Sequence, residues 1–119
     1  MTEQAAEPTL FERIAAREIP AQIVAETDRV IAFHDIAPQA PVHVVVTPKR
    51  GGYRDVVELA SGDPDLLAEL VSVANGVAGD LSDGDFRLVF NTGAGAGQTV
   101  FHVHAHVLAG RLEEGSLAG

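Results

Sequence analysis

From Phe101 to Leu108 the chain reads Phe-His-Val-His-Ala-His-Val-Leu, with histidine and apolar residues alternating strictly. A period of two fits a β-strand and no helix, because successive strand side chains leave on opposite faces. His102, His104 and His106 would therefore share one face, and Val103, Ala105 and Val107 the other. The apolar face asks for a core beneath it. The other face repeats an imidazole every ~6.5 Å, a poor way to build a core and a good way to build a site.

The rest of the chain has room for one such core. Its 119 residues are 46% hydrophobic, which suits a single globular domain spanning 1–119, with flexible tails expected at 1–8 and 112–119. Eight basic residues face 17 acidic ones, a net charge of −9. Beyond Lys49-Arg50 there is no basic cluster, so neither nucleic acid nor a membrane surface is an expected partner. Any anionic ligand must be held by local donors against the global field. Cysteine is absent, which excludes disulfides, thiolate-bound zinc and thiol nucleophiles. The first residues carry no secretory signal pattern and no run reaches the ~20 apolar residues of a membrane span, so a cytoplasmic location is expected.

Local signals order the elements. Thr9 and Glu12 form a capping box ahead of a helix from Leu10 to about Glu18, ended by Ile19-Pro20. Gln22–Glu26 and Arg29–His34 read as a hairpin around Thr27-Asp28. Two prolines make 35–41 an ordered loop, and Val42–Thr47 is a β-branched strand stopped by Pro48. Residues 55–60 suggest a short helical turn. Asp63-Pro64 opens the longest helix, whose Leu66, Leu70, Val73, Val77 and Leu81 recur at helical spacing. Phe86–Asn91 and Val100–Leu108 are strands joined by a glycine-rich loop. The expected fold is α+β: a single antiparallel sheet with an N-terminal helix and one long helix packed on it.

The histidine row admits three readings. It can be structural. It can bind a metal, since His-x-His on a strand converges on one ion and His43 could add a ligand, although no carboxylate lies near it in sequence. It can also catalyse phosphoryl chemistry, one imidazole attacking phosphorus while its neighbours donate to oxygen and leaving group. The preceding loop, Asn91-Thr92-Gly93-Ala94-Gly95-Ala96-Gly97-Gln98-Thr99, favours the third reading. Glycine lets backbone N–H groups approach an anion, and Asn91 and Thr99 add side-chain donors.

At every position, residues 102–108 match the His-φ-His-φ-His-φ-φ signature (φ apolar) of the histidine-triad superfamily. The chain resembles its nucleotide-binding, Hint-like branch from about residue 9 to 111. Phe11–Ala21 is similar to that branch's opening helix, Ala32–His43 to its ribose loop and following strand, and Gly97–His102 to its phosphate loop. The resemblance implies a nucleotidyl hydrolase or transferase acting on purine nucleoside 5′-phosphoramidates, such as AMP joined to an amine. It implies no cofactor and no metal. Under it, His104 is the nucleophile, His106 contacts phosphate and assists the leaving group, His102 orients the nucleophile and His43 supports the row. Asn91, Gly97 and Thr99 bind phosphate, with Gln98 also at the substrate. Asp35 accepts from the ribose hydroxyls beside Ile36, while Phe11, Ile14, Ile19 and Phe33 form the base pocket. The branch forms homodimers through the long helix and an adjoining strand, which the Leu66–Leu81 stripe would suit. Other activities within reach are dinucleoside polyphosphate hydrolysis, or nucleotide binding with incidental hydrolysis. Gly51-Gly52 stands where many members carry a further histidine. The C-terminal tail lacks the aromatic and proline residues of some members, which leaves the leaving-group preference open.

Overall fold

A β-branched run with no charge, Val42–Pro48, forms β3 at the centre of a five-stranded antiparallel sheet in the computed structural model, which describes residues 7–113. Around it stand β1 (Ile23–Glu26), β2 (Val30–His34), β4 (Arg87–Val89) and β5 (Ala105–Ala109), in the order β1-β2-β3-β5-β4. Central strands are covered on both faces, so β3 is buried almost throughout. The α+β architecture expected from the sequence is the one observed.

Helices α2 (Val56–Gly62) and α3 (Pro64–Leu81) lie on the same side of the chain's largest core cluster. Leu66, Leu70, Ala74, Val77 and Ala78 of α3 meet Val30, Ala32, Val44, Val46, Val103, Ala105 and Val107 there. Side-chain alternation sends the other parity to the opposite face, where Ile31, Phe33 and Val45 meet Phe11 and Ile14 of α1 (Leu10–Ala15). The first face is the main core. The second carries the histidines.

Several boundaries move for identifiable reasons. Helix α1 stops at Ala15, because Arg17 takes a positive φ of 63° and turns the chain before Pro20 is reached. The segment after Asp55 is a full seven-residue helix, with the Asp55 side chain accepting from Glu58 N. β4 is only three residues long. The histidine strand is paired only from Ala105 onward. The register sets Val46 opposite Ala105, so continuation would place Pro48 opposite Val103, and proline has no N–H to give. Val103 N instead donates to Tyr53 O at 2.9 Å, and Thr47 Oγ1 donates to Val103 O at 2.8 Å. The alternation of faces survives without the ladder.

The apolar stripe of α3 is also assigned differently. Leu66, Leu70 and Val77 are buried within the protomer, so they are not available to a partner. Val71 and Leu81 are the large apolar side chains that α3 leaves exposed. No described helix is long and apolar enough to cross a membrane. Leu70 has no exposed surface and sits at the middle of the main core. Leu70→Ala should lower unfolding free energy by about 2–5 kcal/mol in urea titration, and a loss below about 1 kcal/mol would contradict this placement.

Candidate active site

Four imidazoles gather on the second face of the sheet. His106 comes from β5 and His43 from β3, on strands whose register pairs Val45 with His106 and Leu108 with His43. The two histidines are thus diagonal neighbours on one face, and His43 Nε2 lies 2.9 Å from His106 Nδ1. The His104 ring is 5.2 Å from that of His106. Phe11 of α1 packs edge-on against both His102 and His104, with centroids 5.4 and 4.8 Å apart.

Hydrogen-bond partners of fixed type settle where each proton resides. Gln39 N donates to His43 Nδ1 at 3.0 Å, so the His43 proton is on Nε2. Nε2–H donates to His106 Nδ1, which places the His106 proton on its own Nε2. His104 Nδ1–H donates to the backbone carbonyl of His102 at 2.8 Å. His104 Nε2 therefore carries a bare lone pair. His102 donates from Nε2 to Pro48 O at 2.7 Å, and its Nδ1 accepts from Thr9 Oγ1 at 2.6 Å.

Burial keeps the three rings of the row neutral. Desolvation is the largest influence on His102, His104 and His106, pushing each below the ordinary imidazole range. For His106, desolvation together with nearby His104 and His43 brings the pKa down to about 4, against an opposing pull from Asp35. At neutral pH the site thus presents one bare imidazole lone pair, on His104 Nε2, and one free N–H, on His106 Nε2, without a cationic histidine among the three.

Asp35 joins this group across the fold. Its Oδ2 lies 3.4 Å from His43 Nε2, and its Oδ1 accepts from Ala37 N at 2.8 Å. The carboxylate missing from the row's sequence neighbourhood is thus supplied by the loop after β2. Asp35, His43 and His106 each offer a ligand atom within 4.8 Å of the others, the one set of three among the described residues that could hold a metal ion. A cation there would have to displace the His43–His106 hydrogen bond.

The other residues expected at the site divide between an apolar pocket and the glycine loop. Phe11, Ile14 and Phe33 are buried together, with Phe11 and Phe33 5.9 Å apart, and Ile19 packs against them. Ile36 is 99% exposed beside Asp35. In the glycine loop, a 3₁₀ turn at Ala94–Ala96 lies between Gly93 and Gly97, whose φ of 90° and 94° only glycine adopts readily. Gln98 is buried, and its amide ties the loop to the segment before α2: Oε1 accepts from Gly93 N, and Nε2 donates to Arg54 O and Val100 O. Its side chain shapes the loop. Asn91 is half-buried and Thr99 exposed at the two ends of the loop. Sequence reasoning missed the partners that set the tautomers, namely Gln39 N, Pro48 O and the Thr9 hydroxyl. Only Thr9 carried a signal, as a helix cap.

Known proteins resemble this chain over most of its length. The HIT domain model matches residues 16–113. A HIT-like protein of Synechocystis is 51% identical over 110 residues, covering 89% of this chain and 93% of its own. An adenylylsulfatase HINT1 of Arabidopsis thaliana is 41% identical over 107 residues, covering 87% and 72%. A 14 kDa zinc-binding protein of Zea mays is 40% identical over 107 residues, covering 87% and 83%. Among solved structures, a HIT family hydrolase from Clostridium thermocellum superposes with a TM-score of 0.82 at 42% identity, covering 90% of this chain and 94% of that one. The chain belongs to the HIT (histidine triad) family. Within it, the chain is Hint-like.

The lowered pKa values carry a sign that can be checked. A histidine whose folded pKa is depressed binds its proton less well folded than unfolded, so its contribution to stability is complete above the unfolded pKa near ~6.5. That contribution is lost as pH falls from there towards about 4, the His106 value. Urea stability should decline over this window, and NMR titration should put the His106 midpoint well below the free imidazole value. A midpoint at or above it would contradict the site's burial.

Proposed function

We propose that the protein is a purine nucleoside phosphoramidase, cleaving nucleoside 5′-phosphoramidates through a covalent nucleotidyl-His104 intermediate. The observation that carries this reading is the 2.8 Å bond from His104 Nδ1–H to the His102 carbonyl, which frees Nε2 as a nucleophile. In the first step a bond forms between Nε2 and the α-phosphorus, and the P–N bond to the amine breaks. The amine leaves with one proton drawn from solvent across His106, whose Nε2–H also donates to a phosphoryl oxygen. In the second step water attacks phosphorus, the Nε2–P bond breaks and that proton returns to solvent. A nucleoside 5′-monophosphate is released and His104 is restored.

The base would lie on Phe11, Ile14, Ile19 and Phe33, with ribose on Asp35 and phosphate on Asn91, Gly97 and Thr99. Neutral N–H donors suit a phosphoryl anion in a chain of net charge −9, where few cations are at hand. The Arabidopsis relative named an adenylylsulfatase supports adenylyl chemistry at this site. A homodimer in the cytoplasm completes the proposal, joined along the β4 edge and the exposed Val71 and Leu81 of α3.

Hydrolysis of an adenosine phosphoramidate by wild type and His104→Ala, each with and without EDTA, tests the reading. His104→Ala should lose at least ~10³-fold in kcat, and wild type should be indifferent to EDTA. Undiminished turnover by the variant would refute the covalent route. Loss of activity in EDTA would reassign Asp35, His43 and His106 to a metal. Faster turnover of a diadenosine polyphosphate would move the substrate class to dinucleotides, and micromolar nucleotide affinity with negligible turnover would make the protein a binder.

A further inference from the structure

Thr9 performs two tasks with one hydroxyl. Its Oγ1 caps α1 by accepting from Glu12 N at 3.1 Å, and the same oxygen lies 2.6 Å from His102 Nδ1, 93 residues away. The proton's direction is determined. Pro48 O can only accept, so neutral His102 is protonated on Nε2 and its Nδ1 must accept. The Thr9 hydroxyl is therefore the donor, and His102 is held at both ends of its ring, inside a protein that leaves it no exposed surface.

This anchoring matters because His102 and His104 lie outside the β3–β5 ladder, which begins at Ala105. The carbonyl that orients the nucleophile belongs to His102 and is not held by paired strands. Of the two groups bonded to the His102 ring, one is the backbone of Pro48 and the other is the Thr9 side chain. We propose that Thr9 is a positioning residue for the nucleophile: its hydroxyl fixes the His102 ring and, through the His102 carbonyl, the tautomer and aim of His104. Phe11, two residues on, touches both histidine rings, so the first turn of α1 links the proposed base pocket to the attacking nitrogen.

Glu12 separates positioning from helix stability. Its Oε1 accepts from Thr9 N at 2.9 Å and its Oε2 from Gly51 N at 3.0 Å, so it secures α1 without touching the His102 ring. The inference rests on His104 acting as the nucleophile. Thr9→Val keeps the shape and removes the donor, and should lower kcat about tenfold or more with KM within about twofold. Thr9→Ser should restore kcat to within about threefold, and Glu12→Ala should weaken the fold as much as Thr9→Val while holding kcat within about threefold. Long-range ¹H–¹⁵N spectra of the imidazoles should show His104 protonated on Nδ1 in wild type and shifted towards the Nε2–H tautomer in Thr9→Val. An unchanged kcat and tautomer in Thr9→Val, or an equal kcat loss in Glu12→Ala, would overturn the proposal. A wild-type protein inert to phosphoramidates would instead refute the functional reading, and the tautomer comparison would then decide the role of Thr9 by itself.

Discussion

The antiparallel ladder between β3 and β5 is the constraint on which the molecule depends. It joins the two halves of the sheet, and its inward parity (Val44 and Val46 against Val107 and Ala105) anchors the main core under α3. Its outward parity brings His43 and His106 to 2.9 Å. A shift of one residue would send the histidines into the apolar core and the valines to the site, so core packing and site geometry are specified by the same register. The ladder also ends where the chemistry needs it to. Pro48 cannot donate, and the chain opposite it is free to turn the His102 and His104 backbone to other partners.

This arrangement yields a row of three neutral imidazoles, His102, His104 and His106, with the Asp35 carboxylate beside it. His102 and His43 have both ring nitrogens hydrogen-bonded, whereas His104 and His106 are bonded through Nδ1 and keep Nε2 free to act. Burial reinforces this by disfavouring the imidazolium forms. In a chain so acidic, an anionic phosphoryl group is better met by oriented N–H groups, which cost no ion-pair desolvation, than by a lysine or arginine cluster. The site's electrostatics are local, and the chain's net charge says little about its ligand.

Much of this was legible in the residues. The period-two histidine row, the Thr9–Glu12 capping box, the proline stops and the helical stripe of α3 are local signals, and they located the elements and the fold class. Boundaries were less legible, because the end of the β5 ladder depends on which residue of β3 stands opposite it. Of the α3 stripe that suggested a dimer contact, Leu66, Leu70 and Val77 proved to be the chain's own core, while Leu81 stays exposed. An amphipathic pattern says that a face is covered and not by what. Gln98, read as a substrate ligand, has its amide hydrogen-bonded to Gly93, Val100 and the distant Arg54 carbonyl.

The division between the two levels is physical. Side-chain periodicity follows from backbone geometry alone, so the strand character of the histidine row and its shared face could be read directly from 102–106. His104 takes its partner from two residues back, but which nitrogen holds the proton in His43, His102 and His106 depends on partners 4, 54 and 63 positions away. Chain distance carries no trace of such contacts. Only the folded sheet, with α1 laid across its second face, brings the Thr9 hydroxyl, the Pro48 carbonyl and the Asp35 carboxylate to the histidines and so distinguishes one imidazole from the next.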